Sequence, residues 1–164
     1  MGINAQIELA KEHLLEEVNR VFEDLWLQIQ NQGESEQPFE RREVVYPLTV
    51  NPATFRKKTP ICLLIDEKRI VTPTWKKVFE VLVLRCIEDN RKHNALMQLR
   101  NEILGRERVL LSDNSEGMRR PFKISDGLYA ETHYDTESLM RILLHRILGE
   151  VDFDYSGISV VVRR

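Results

Sequence analysis

Two cysteines are all this sequence contains, and both sit in apolar runs, Cys62 in ICLLI and Cys86 in VLVLRCI. Each reads as a small buried hydrophobe rather than half of a disulfide. No apolar stretch approaches the roughly 18 residues that a membrane-crossing helix needs, and the start MGINAQIELAKE lacks the basic-then-apolar layout of a signal peptide. These absences point to a cytoplasmic protein with no membrane partner. The motif HExxH does not occur, neither Ser112 nor Ser115 lies in GxSxG or SxxK, and Gly105, Gly117 and Gly127 are too widely spaced to cradle a phosphate. No cofactor and no resident metal are therefore expected, and no reaction is specified by a motif. Repeats and low-complexity tracts are missing as well.

What is present suits a globular domain with an appendage: 164 residues, 42% hydrophobic and 30% charged, long enough to bury a core without disulfides. The net charge of −2 hides a split. Residues 1–40 hold nine acids against only Lys11 and Arg20, a balance of −7, which leaves +5 on the remainder. An acidic arm on a basic body fits a body that meets an anion, or simply a long solvated helix.

From Asn4 to about Gln32, Ile7, Ala10, Leu14, Val18, Val21, Leu25 and Ile29 recur at spacings of three and four, which predicts one long amphipathic helix. Leu15, Phe22, Trp26 and Leu27 broaden the stripe beyond a narrow seam. Such a helix is some 43 Å long, more than the rest of the chain can cover. Leu14, Val18, Val21, Phe22, Leu25 and Trp26 are the expected interface, with a second copy or with another protein. The division expected is residues 1–32 as this helix, 33–60 as a linker (GESEQ before Pro38) and edge strand, and 61–164 as an α+β domain. Within that domain, ICLLI and RIVT predict a hairpin, and Thr72 or Thr74 can cap a helix from Trp75 toward Leu104. The polar run 89–94 makes two helices a close alternative to one, with Gly105 closing the last as a C′ residue. Short strands near Val109, Phe122 and Leu128–Tyr134, a helix capped by Asp135 or Thr136 and ended by Gly149, and a strand at Ile158–Val162 complete the chain. The fold class read from this order is α+β, a long amphipathic helix followed by a small mixed sheet with helices on one face.

Polar and ionic groups crowd between Gly105 and Ser138. Arg106, Arg108, Arg119, Arg120 and Lys123 lie within about twenty residues there, Arg56, Lys57 and Lys58 precede the hairpin, and Arg41 and Arg42 stand upstream. Arginine offers a planar donor fork suited to phosphate, and Tyr129 or Tyr134 can stack on a base. Strand alternation places Tyr129, Glu131 and His133 on one face. A carboxylate and an imidazole two residues apart form the one pair suited to metal or acid–base chemistry.

The segments VTPTWKKVFEVLVLRCI, GRERVLLSD, MRRPFKI and GLYAETHYDTESLMRILL together resemble a module of uncharacterised bacterial proteins. Its pattern is a Trp-Lys helix start, GRxR, an Arg-Pro turn and a YxET strand, and it sometimes forms a tail on restriction or mobile-element proteins. Trp75, Gly105, Arg106, Arg108, Arg119, Pro121, Tyr129, Glu131 and Thr132 carry the resemblance, while His133 stands where the pattern often has Asn. The resemblance implies no catalytic residue and leans toward nucleic-acid or phage-defence association. The leading expectation is a non-enzymatic, homodimeric binding protein that engages nucleic acid, or a protein that processes it, through its basic surface. The alternative is a protein-only interaction or inhibitor module working through the acidic helix. An enzyme using Glu131 and His133 is the third.

Overall fold

The computed structural model describes residues 2–35, 42–105 and 108–164, without the side chains of residues 28–35. Two compact units emerge, Met1–Arg41 and Arg42–Arg164. The first is helix α1, Ile3–Ser35, which runs on through Gly33 rather than ending there. The expected link from Glu36 to Pro38 lies outside the described residues, as do Arg41, Arg106 and Glu107. Along α1, Ile3, Ile7, Leu9, Leu14, Leu15, Val18, Val21, Phe22, Leu25, Trp26 and Leu27 are between 47% and 76% exposed.

The second unit begins with strand β1, Glu43–Pro47, within the stretch read as linker and edge strand. It is an edge strand, as Pro47 requires. A 3-10 turn over Pro52–Phe55, capped by Asn51, buries Phe55 completely. Strands β2 (Thr59–Ile65) and β3 (Lys68–Val71) form the predicted hairpin, with Ile65 opposite Lys68. Its link is two residues, Asp66 and Glu67, both left-handed with φ of 49° and 63°, the geometry whose twist suits a tight hairpin.

Helix α2 (Trp75–Cys86) starts at Thr74, whose side chain accepts from the Lys77 amide at 3.1 Å. Helix α3 (Asn90–Gln98) starts at Asp89, whose carboxylate accepts from the Arg91 amide at 2.8 Å. The polar run therefore breaks the helix, because Asp89 satisfies a fresh set of amides instead of continuing the old ladder. Replacing Thr74 by alanine leaves the Lys77 amide without that acceptor and should cost about 1 kcal/mol, read as a lower denaturation midpoint at unchanged slope.

Strands β4 (Leu111–Ser112), β5 (Pro121–Ser125) and β6 (Leu128–Glu131) follow. Helix α4 (Thr136–Arg141), capped by Asp135, continues directly as a π-helix over Ile142–Leu148. Strand β7 (Ser159–Arg163) closes the chain. In place of one mixed sheet there are two antiparallel sheets, ordered β1-β7-β2-β3 and β4-β6-β5. The last strand inserts between β1 and β2, so Val160, Val161 and Val162 are buried on both faces. Helix α2 touches β2 of one sheet, β5 of the other and the α4–π helix, joining them around one core. The class is α+β, as the sequence predicts. Cys62 and Cys86 are both buried and unbridged, and burial pushes the Cys86 thiol up to about 11, which keeps it protonated and inert. Among the described residues, no helix is long and apolar enough to cross a membrane.

Candidate functional site

Gly105 does not close a helix. It lies beside the Leu104–Val109 bridge, and its amide donates to the Arg108 carbonyl at 2.7 Å. A Cβ there would stand 3.0 Å from the Tyr134 hydroxyl and 3.1 Å from the Arg108 oxygen, so glycine permits the close approach.

Glu131 ends β6 and is only 1% exposed. One carboxylate oxygen accepts from the amides of Arg120 at 3.0 Å and His133 at 2.9 Å. The other accepts from the Arg119 amide at 2.7 Å and faces the Arg108 guanidinium at 3.6 Å. Desolvation is the largest single influence on this carboxyl and pushes it up, but the amide donors together outweigh it and hold it below its ordinary value. Alternation puts Tyr129, Glu131 and His133 on one face, yet the three differ in the structure: Tyr129 is half-buried, Glu131 is buried along with Leu128, Ala130 and Thr132, and His133 beyond the strand end is exposed. The Glu131 carboxylate meets the backbone amide of His133 rather than its ring, so the two side chains do not form a base and its orienter. Among the described residues, no group of three or more His, Cys, Asp or Glu is placed to hold a metal ion.

The basic residues scatter into separate duties. Arg56 pairs with Glu137, which also pairs with Arg141, so one half-buried carboxylate bridges the 3-10 turn to α4. Lys58 turns back on its own loop, donating to the Thr54 carbonyl with its ammonium 5.7 Å above the Tyr46 ring, while its carbonyl accepts from the Trp75 indole at 2.7 Å. Lys123 pairs with Asp126 at 2.8 Å. Lys57, left-handed at φ 57°, and Arg119 and Arg120 are exposed, and Tyr129 is half-buried. Arg106 lies outside the described residues. Asp135 accepts from the Ser138 amide at 3.0 Å and hydroxyl at 2.7 Å, which holds its carboxyl low and makes it a cap.

A groove of about 730 Å³ runs beside Tyr134, with Leu104, Gly105 and Leu110 on one side and the α4–π helix on the other. Arg141, His145 and Arg146, which also line it, were not among the sequence candidates. The amphipathic pattern of the last helix signals only that these residues face outward, and nothing in it signals the π winding that sets them.

No protein-family model matches this chain, and the searches of curated proteins and of solved structures give no match.

Proposed function

We infer that this chain is a non-enzymatic binding protein whose assembly element is α1, and that the occupant of its apolar face is a second copy of the same helix. The observation that carries this reading is the exposure of the interface residues Leu14, Val18, Val21, Phe22, Leu25 and Trp26, each at least 47% exposed. A contiguous apolar stripe of this size is covered in a working protein. Ile7, Leu14, Val18, Val21 and Leu25 step by sevens, fours and threes, so the stripe keeps its register against a copy of itself along the helix, as a two-fold interface requires. Leu15 and Trp26 widen it enough for a broad contact.

The nucleic-acid reading keeps less support. Arg56, Arg108 and Lys123 are each engaged by a carboxylate, leaving Arg42, Lys57, Arg119 and Arg120 exposed with no ion pair among the described residues. Backbone recognition gains affinity with each phosphate neutralised, and four such residues give a weak, salt-sensitive contact.

One experiment separates the two. The mass of the full chain in solution, measured with and without nuclease, should be twice that of a single chain under both conditions. Val18→Glu with Leu25→Glu should return it to one chain while the circular dichroism of the second unit persists. A single-chain mass for the unaltered protein defeats the self-assembly reading. A mass that falls on nuclease treatment, with excess absorbance at 260 nm, establishes the nucleic-acid one.

A further inference from the structure

We propose that the groove beside Tyr134 binds a small organic anion, with a carboxylate or phosphate group held at His145 and Arg146 and an aromatic or aliphatic body lying on Leu104, Leu110 and Ile142. Two independent observations converge on it. The first is the cavity, whose volume of about 730 Å³ lies within the range of small-molecule sites and whose lining combines an apolar floor with a few polar groups.

The second is the winding of its wall. Ile142–Leu148 is π-helical, with the Gly149 amide bonded five residues back to the Leu144 carbonyl at 3.0 Å. Such segments are rare and occur disproportionately at functional sites. Here the winding divides the segment cleanly. Leu143, Leu144, Ile147 and Leu148 are buried in the core, while Arg141, Ile142, His145 and Arg146 line the groove.

The charges around the groove favour an anion. Among the described residues of the lining the acidic one is Asp135, which is engaged as the α4 cap, and Glu137 nearby is held between Arg56 and Arg141. His145 and Arg146 are exposed, and their side chains have no hydrogen bond or ion pair among the described residues. Tyr134 contributes a hydroxyl beside Gly105, and burial, reinforced by the nearby Glu131 charge and opposed by Arg108, raises its pKa, so the hydroxyl remains a donor. A guanidinium and an imidazole at the rim of an apolar floor select a ligand with both an anionic head and a body.

The test is titration of the full chain with phenyl phosphate and with benzoate, followed by amide proton–nitrogen correlation spectra. Inorganic phosphate and benzyl alcohol serve as the head-only and body-only probes. Saturable shifts are expected at Gly105, Ser138 and His145 with at least one of the two organic anions, and which one binds tighter identifies the head group. Arg146→Gln should weaken that binding about tenfold, since a hydrogen bond to a charged group is lost. Both Arg146 and His145 are exposed, so their glutamine variants keep the fold. Equal affinity for benzyl alcohol, or binding unchanged within twofold in both Arg146→Gln and His145→Gln, would overturn the anion site. Inorganic phosphate binding as tightly as phenyl phosphate would overturn the role of the apolar floor. Absence of saturable shifts with either organic anion at millimolar concentration would overturn the proposal as a whole.

Discussion

Replacing Glu131 by alanine is expected to lower the stability of the second unit by about 3 kcal/mol, because it strands one cation and three amides at once. The side chain is 1% exposed, and its oxygens accept from the amides of Arg119, Arg120 and His133. It thereby ties the turn before β5 to the end of β6 and anchors Arg108. Loss of roughly 3 kcal/mol in a unit of this size corresponds to about 10 °C in the melting midpoint. The pH dependence supplies a sharper signature. Amide donation holds the folded carboxyl below its ordinary value of 4.5 despite the opposing desolvation, so the unfolded chain takes up the proton first. The contribution is therefore complete above the unfolded value and fades as pH falls through the folded one. Asp135 and Asp89 are also held low by their hydrogen bonds and follow the same sign, so the informative quantity is the difference between proteins. As pH falls below the ordinary carboxyl value of 4.5, the unaltered protein should lose stability more steeply than Glu131→Gln, in which the group no longer titrates. Equal slopes would mean that Glu131 is not an ionised clasp.

Glu131 also marks where reading the sequence succeeds and where it stops. The helix α1, the β2–β3 hairpin, the Thr74 and Asp135 caps and the closing strand are all written in local chemistry: spacing of apolar residues, a turn between β-branched runs, an oxygen placed three residues before an amide. The inward turn of Glu131 is not local. Its partners Arg119 and Arg120 lie 12 and 11 residues earlier and meet it only because β5 and β6 pair with Pro121 opposite Glu131. Strand alternation puts Tyr129 and Glu131 on one face and cannot tell that the end of this face closes over a loop. Counting arginines has the same weakness. Arg56 and Glu137 are 81 residues apart, and only folding shows that they neutralise one another. Gly105 was legible as a position that needs glycine, yet the need comes from the Tyr134 hydroxyl and not from a helix end. The division into two sheets was hidden for a related reason: short strands fix no partners by composition, and strand β7 chose the middle of the first sheet.

Phe79→Ala should produce the largest loss of all, about 3 to 5 kcal/mol, a substantial part of the 5 to 15 kcal/mol typical of a whole domain. Phe79 is fully buried on α2 and meets Phe122 of β5 edge to face, with ring centroids 6.5 Å apart at 84°. The same helix packs on β2, so the ring sits where both sheets share one core. Truncation removes the aromatic pair and leaves a cavity that neither sheet can close without moving against the other. Phe79→Leu retains most of the volume and should cost far less, under about 2 kcal/mol. Amide hydrogen exchange distinguishes a shared core from two neighbouring ones. In the alanine variant the amides of Val160, in the first sheet, and Ala130, in the second, should lose protection by the same free energy, because opening either sheet exposes the site vacated by the ring. Loss confined to Ala130, with Val160 unchanged, would show that the β4-β6-β5 sheet opens on its own. In that case α2 would belong energetically to the first sheet alone, and the wall of the groove would rest on the less stable half of the unit.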